Sequence, residues 1–410
     1  MLVPLDDARR HVLEHVPGSL PAETVTVAEA VGRVAAERVV APEAVPAFDN
    51  SGMDGYAVRS RDLTGLASGD PVELRAAGRT LAGEAPEAEL AEGEAVRIMT
   101  GAPLPRGADA VVPVEVVDVL DGGRVRFRQP VTAGQHVRPT GDDLVVGDEV
   151  LAAGTVVTPG HLGLLATLGV EKVAVHRRPR IGVLSTGDEL VQGAVPLAAG
   201  QIRDSNRPAL LALVVASGGE PVDLGHAPDD ADAISAAVLA GAGSCDAILS
   251  SGGVSMGDVD LVKVVLDEIG EMRWMQIAIK PAKPFAFGVV RGVPVFGLPG
   301  NPVSSLVSYE LLARPAIRRL AGHPDEHLDR PQLAAVAVDG LRRRPDGKLH
   351  LVRVAIRVGE GGRLEARSAG GQGSHQMGAM AVANGLALVA DGDGVEPGGT
   401  VAVVVTGELV

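Results

Sequence analysis

Between residues 176 and 322, strand-like apolar runs alternate with helix-like stretches, and few folds satisfy that pattern. The runs are Arg180–Ser185, Pro221–Gly225, Ala247–Ser250, Met275–Ile279, Pro284–Val290 and Val293–Leu298. Helices are expected over Arg207–Ser217, Ala231–Ala240, Leu261–Ile269 and Val303–Leu320. Strands that alternate with helices are joined by crossovers, so the middle of the chain is predicted to be an α/β domain on a parallel sheet.

The flanks read differently. Residues 44–140 carry short β-rich runs, such as Val72–Arg75 and Arg124–Arg128, between Gly, Pro and Asp turns. They predict a small inserted β-rich domain. Residues 327–410 repeat that texture, with turns at "AGGQGS" and "DGDGVEPGG", and predict a second small β domain. Helical patterns in 1–43 ("PLDDARRHVLEHV", "VAEAVGRVAAERVV") and in 141–175 ("PGHLGLLATLGV", with Pro159 and Gly169 as punctuation) predict one helical unit that the insertion interrupts. The fold class is therefore α/β plus β in several domains, as 410 residues exceed one ordinary core.

A net charge of −15 argues against a general nucleic-acid binder, and 2% aromatic residues leave little for base stacking. Any anion site must be a local cluster of positive groups. Cys245 is the only cysteine, which excludes an intrachain disulfide and a thiolate metal cluster. The N-terminus is charged and amphipathic rather than a signal peptide. The longest apolar run, Ala209–Ala216, is far short of the ~20 residues of a membrane helix. The expected location is cytoplasmic, with no membrane partner.

In an open parallel sheet, ligands sit beyond the carboxyl ends of the strands. Ser185-Thr186-Gly187-Asp188-Glu189 follows the first strand, Pro228-Asp229-Asp230 the second, and "SSGGVSMGDVD" (residues 250–260) the third. Lys280-Pro-Ala-Lys283-Pro284 and Pro299-Gly-Asn-Pro-Val-Ser304 follow two more runs, and a helix opens on Asp204-Ser205-Asn206. Each has a plain structural explanation. Asp204, Asp229 and Asp230 suit helix caps, Ser-Gly-Gly suits a turn, and Glu189, Lys280 and Lys283 suit a solvated surface. Five such loops on one edge favour a site. Glycines admit close backbone approach, and helix starts favour anions. Carboxylates with hydroxyls suit Mg²⁺, and two lysines in a proline-stiffened loop suit a second anion. The pattern points to a phosphorylated ligand with a metal ion.

Read in order, these motifs resemble the MoeA family of molybdopterin molybdenumtransferases, which is similar to the E domain of gephyrin. The resemblance covers nearly the whole chain. It also rests on Pro46-Ala-Phe-Asp49-Asn50-Ser51-Gly-Met-Asp54-Gly55-Tyr56-Ala, Met99-Thr100-Gly101-Ala102-Pro103-Leu-Pro105 and Gly107-Ala-Asp109-Ala-Val-Val-Pro-Val-Glu115. Each motif alone is weak, and the ordered series is specific.

The resemblance implies an elongated homodimer whose active site lies where the α/β domain of one subunit faces the first β domain of the other. It implies Mg²⁺-dependent insertion of molybdate into adenylylated molybdopterin, with release of AMP. Carried over position by position, it makes Asp258, Asp260 and Glu189 metal or phosphate-site residues, with Ser251, Gly252, Gly253 and Ser255 in the same motif. Lys280, Lys283 and Pro284 match the molybdate loop, and Ser304 matches the serine of the LPGNPVS motif. Arg353 and Ser374 match the remaining anion positions. Asp54, Thr100 and Asp143 match polar residues outside the α/β domain. One motif departs from the family form: Gly141-Asp142-Asp143 replaces Gly-Glu-Asp, one methylene shorter in the middle. A further lysine, upstream of the lysine loop in some members, has no match here. Partners implied are a separate molybdopterin adenylyltransferase and recipient molybdoenzymes. Two other readings are an adenylyltransferase, which the α/β domain alone would permit, and a gephyrin-like scaffold. The long β insertion and the C-terminal β domain weigh against the first, and the retained anion positions against the second.

Overall fold

The computed structural model describes residues 2–85, 89–254 and 261–409. The central sheet holds β1 (Arg180–Thr186), β2 (Glu220–Ala227), β3 (Ala247–Ser251), β4 (Glu271–Gln276), β5 (Pro284–Val290) and β6 (Val293–Leu298), in the order β2-β1-β3-β6-β5-β4. Helices α1 (Asn206–Ala216), α2 (Ala231–Ala242) and α3 (Leu261–Ile269) alternate with them. A closing run combines α4 (Pro302–Ser308), a π turn (Tyr309–Ala313) and α5 (Arg314–Leu320). The pairings β1–β2, β1–β3 and β3–β6 are parallel, as the alternation predicts. β5 and β4 instead join antiparallel. The reason is local: only Arg291 and Gly292, at φ 51° and 82°, connect β5 to β6, and so short a link makes a hairpin, not a crossover.

Both faces of the sheet are covered. In β3, Ala247 and Leu249 pack with Leu210, Val214, Val303 and Val307 on one side. Ile248 packs with Ile234, Val238, Val262 and Val265 on the other. Successive side chains point to opposite faces, so a strand buried on both sides reads as a continuous apolar run. The loops at the carboxyl ends are left as the open edge.

The first helix, Leu5–His15, joins this domain. Its Ala8 and Val12 are buried against the α1 and α4 face, and Arg9 Nη1 donates to the Leu311 carbonyl at 3.0 Å. It shares no core with residues 141–175. The unit built on those residues takes in 22–43 but is less helical than its pattern predicts. Only one turn, Val27–Ala30, forms in the first part, closed by a Thr26–Glu29 capping box. Gly32, at φ 80°, breaks the path, and the β-branched pair Val39–Val40 pairs with Glu149–Leu151. Ala22–Thr26 likewise pairs with Lys172–His176, and Pro159–Thr167 supplies the remaining helix.

The inserted segment forms a six-stranded sheet over Gly55–Val58, Val72–Thr80, Glu94–Ile98, Ala110–Pro113, Val117–Leu120 and Arg124–Phe127, with Tyr56, Leu63, Leu74 and Phe127 in its core. In the C-terminal segment, Gln332–Ala337, Leu349–Val358, Leu364–Ser368, Gly385–Val389 and Thr400–Val405 close on themselves, because Leu349–Val358 pairs with both Leu364–Ser368 and Gly385–Val389. One short strand from the α/β domain, Ile279–Lys280, adds in parallel to Leu349–His350 of this barrel.

Candidate active site at the strand ends

The carboxyl ends of β1, β3 and β6 converge on glycine. Gly252 follows β3 at φ 108°, and its amide donates to the Leu298 carbonyl at the end of β6 (3.1 Å). A Cβ on Gly252 would meet Thr186 Oγ1 at 2.8 Å and the Thr186 carbonyl at 2.9 Å. A Cβ on Gly300 would come within 3.8 Å of Gly252 Cα. At Gly252 only a residue without a side chain allows the backbones so close, whereas the Gly300 contact is of ordinary van der Waals length.

Polar side chains lock the loops together. Asn206 Nδ2 donates to Ser251 Oγ and to the Gly300 carbonyl, both at 2.8 Å, so one amide ties three loops. Its Oδ1 is buried and has no partner among the described residues. Ser185 Oγ donates to Asp204 at 2.7 Å, and Arg207 Nε reaches the same carboxylate at 3.1 Å. Asp204 therefore does more than accept the Arg207 amide as a cap. Asp230 caps α2 through the Ala233 amide, at 2.9 Å, as a plain cap should. Asp188 and Asp229 link their two loops through side chain-to-amide bonds, 3.0 Å for the Asp229 amide. Glu189 is exposed, and its carboxylate lies against Gly187. Ser255, Asp258 and Asp260 lie outside the described residues.

The lysine loop is clamped at both ends. The Ile277 amide donates to the Lys283 carbonyl at 2.7 Å, and the Leu349 amide donates to the Ala278 carbonyl at 2.9 Å. Lys280 and Lys283 stay exposed, with Lys280 Nζ 3.9 Å from Asp346. Pro284 begins β5.

The barrel brings in Arg353, whose side chain is fully buried. Its Nη2 donates to the carbonyls of Gly371 (2.7 Å) and Gly373 (3.1 Å). Its Nε and Nη1 have no partner among the described residues, and no carboxylate there pairs with it. Burial pulls its pKa below the usual arginine value. Gln372 braces this loop, accepting from the Arg353 amide at 2.9 Å and donating to its carbonyl at 3.1 Å. Ser374 follows directly, and its carbonyl accepts from the Val303 amide at 3.0 Å, beside buried Ser304. Arg353, Ser374 and Ser304 thus meet at the start of α4, although they are far apart in sequence.

Asp54 and Thr100 form a separate cluster in the inserted domain. Asp54 Oδ1 accepts from both the Thr100 amide and its hydroxyl at 2.8 Å, and those bonds hold the carboxyl below its ordinary pKa. Asp143 lies beyond the sheet's strands, its amide bonded to the Val45 carbonyl at 2.9 Å, and it is exposed. No hydrogen bond among the described residues joins this cluster to the strand-end loops.

Asn206 and Gln372 are the structural finds. Asn206 stood in the sequence only as a helix opening, and Gln372 only as part of a glycine-rich turn. A buried amide between two glycine loops leaves no periodicity to read.

Family models match end to end: the MoeA N-terminal region (domains I and II) over residues 3–169, a probable molybdopterin-binding domain over 182–319, and the MoeA C-terminal region (domain IV) over 340–406. The chain belongs to the MoeA family. A molybdopterin molybdenumtransferase of Haemophilus influenzae is 40% identical over 93% of this chain and 93% of its own length. Molybdopterin molybdenumtransferase 2 of Mycobacterium tuberculosis is 41% identical over 88% of this chain and 89% of its own. The solved MoeA protein of Pyrococcus horikoshii OT3 superposes with a TM-score of 0.83 at 28% identity, covering 99% of this chain and 100% of that one. No helix among the described residues is long and apolar enough to cross a membrane.

Proposed function

We propose that this MoeA-family chain is a molybdopterin molybdenumtransferase that takes adenylylated molybdopterin and molybdate at the strand-end site, releases AMP and yields molybdenum cofactor in the cytoplasm. The observation that carries the reading is Arg353. A fully buried guanidinium with two free N–H groups and no carboxylate partner among the described residues is poised for an anion. Molybdate is a tetrahedral dianion that accepts hydrogen bonds on every oxygen. Lys283 and Lys280 add charge at the mouth, and Ser304 and Ser374 add hydroxyls.

The glycine cradle of Thr186, Gly252 and Gly300 suits the phosphates of the adenylylated pterin. Among the described residues, no three His, Cys, Asp or Glu side chains cluster to hold a metal ion. Glu189 nevertheless offers hard carboxylate oxygens at the mouth of the cradle, a donor type that suits Mg²⁺. Asp258, Asp260 and Glu189 would hold the ion, which supplies charge neutralisation at the phosphate oxygens. Asp54, Thr100 and Asp143 complete the site only from a second copy of the chain, so the working form is a homodimer.

Purified protein given adenylylated molybdopterin, Mg²⁺ and molybdate should release AMP and form cofactor. An adenylyltransferase would need ATP and molybdopterin instead, and a scaffold would do neither. Asp260→Ala should abolish molybdate-dependent AMP release, and full activity in that variant would refute the metal assignment. Lys283→Ala should weaken molybdate capture about tenfold, the loss of one charge-assisted hydrogen bond, and pterin binding much less. Equal losses in separate titrations would overturn the role given to Lys283.

A further inference from the structure

A second concentration of positive charge lies far from the strand ends. Arg314 sits twelve residues along the closing helical run from Pro302, about 18 Å away at helical rise. With Arg318, His323 and Arg330 it lines a cleft of about 800 Å³, whose opposite wall includes Thr158 and His161 at the N-terminus of helix Pro159–Thr167.

The charges in this cleft do not balance. Glu310 is the buried carboxylate there, and Arg330 takes both its oxygens at 3.0 Å. Arg314, 5% exposed, has Nε 3.7 Å from Glu310 Oε2 and without a hydrogen-bond partner among the described residues. Its Nη1 goes to the Leu328 carbonyl at 2.8 Å. Arg318 Nε goes to the His327 carbonyl at 2.8 Å, and its Nη2 lies 3.2 Å from His323 Nδ1. These carbonyl bonds pin the linker between α5 and the barrel (residues 321–331) onto α5 but neutralise nothing. Asp329 is engaged by Arg9, and Glu326 sits exposed at the rim. Burial, then Arg330 and Arg318, push Arg314 down to about 10, and burial, then Arg318 and Arg314, push His323 down to about 4. Three guanidiniums facing one buried carboxylate, in a chain of net charge −15, form a local anion trap, and the positive end of a helix adds to it.

We propose that this cleft is a second anion site, distinct from the strand-end pocket, that binds a phosphorylated small molecule of nucleotide size. Phosphate oxygens would take the N–H groups of Arg318 and Arg330 that Glu310, His323 and the His327 carbonyl leave over, with Arg314 adding charge from behind, and the volume falls in the usual range for ligand sites.

Pyrophosphate is the probe, titrated calorimetrically into the full chain at fixed low ionic strength. An Arg353→Met background removes the strand-end guanidinium, and whatever binds at the glycine cradle is common to every variant and cancels in the comparison. In that background pyrophosphate should still bind, and Arg318→Gln should weaken it at least tenfold. His161→Glu is the second variant. It completes a Thr-x-x-Glu capping box with Thr158, so the helix should hold at least as well, while its charge should also weaken pyrophosphate at least tenfold. Absence of binding in the Arg353→Met chain, or unchanged affinity in a folded Arg318→Gln or His161→Glu chain, would overturn the site and leave a structural clamp on the linker.

Discussion

Replacing Arg353 by methionine is expected to lower molybdate affinity at least a hundredfold while the chain stays folded. Two N–H groups, Nε and Nη1, are free for the anion. Hydrogen bonds to charged groups contribute about 1.5–3 kcal/mol each, so losing two removes about 3–6 kcal/mol of binding. Stability should respond differently. The substitution removes a buried charge that has no ionic partner among the described residues, which favours the folded state. It also strips the Gly371 and Gly373 carbonyls of their donor, at a cost of about 1–3 kcal/mol. The two effects oppose, so the thermal midpoint should move by only a few degrees. Equilibrium dialysis against molybdate and a melting curve measure the two halves separately. Wild-type molybdate affinity in the variant would remove the central support for the proposed site.

Gly252→Ala should do the reverse, damaging the scaffold first and activity through it. The new methyl would lie 2.8 Å from Thr186 Oγ1 and 2.9 Å from its carbonyl, at a φ of 108° that L side chains rarely adopt. Strain of about 1–3 kcal/mol joins a similar packing cost, so the strand-end loops should separate or the domain should lose about 2–6 kcal/mol. The expected readouts are a clearly lower thermal midpoint and AMP release reduced at least tenfold. Gly362→Ala is the comparison, since it also has positive φ, at 75°, but nothing stands within 4 Å of its Cβ. Equal behaviour of the two variants would mean that backbone strain alone, not close approach, sets the requirement at Gly252.

Much of the α/β domain was legible because its pattern has a physical cause. Apolar runs such as Ala247–Ser251 are buried on both faces, and the helices between them carry matching apolar sides. The antiparallel turn of β5 and β4 was less visible, since an apolar run carries no direction and only the Arg291-Gly292 link betrays it. The helical reading of 27–40 exceeded what forms, because Ala and Glu favour a helix locally while Gly32 and pairing with Glu149–Leu151 draw the chain into extended structure. Helix Leu5–His15 was visible as a helix but not in its docking, because an apolar stripe does not name the surface that covers it.

The sequence alone determined the local chemistry of each loop. It put glycines and hydroxyls after strands, two lysines around a proline, and Asp230 at a helix start, since caps and turns depend on residues a few positions apart. Tertiary structure alone decided which loops meet. Arg353, Ser374 and Ser304 come together because the barrel shares strand Ile279–Lys280 with the α/β domain and holds the start of α4 through the Ser374 carbonyl. That Arg353 is buried without a carboxylate partner among the described residues follows from that packing. Burial and an unsatisfied donor are properties of three-dimensional surroundings, and no spacing along a chain encodes them directly.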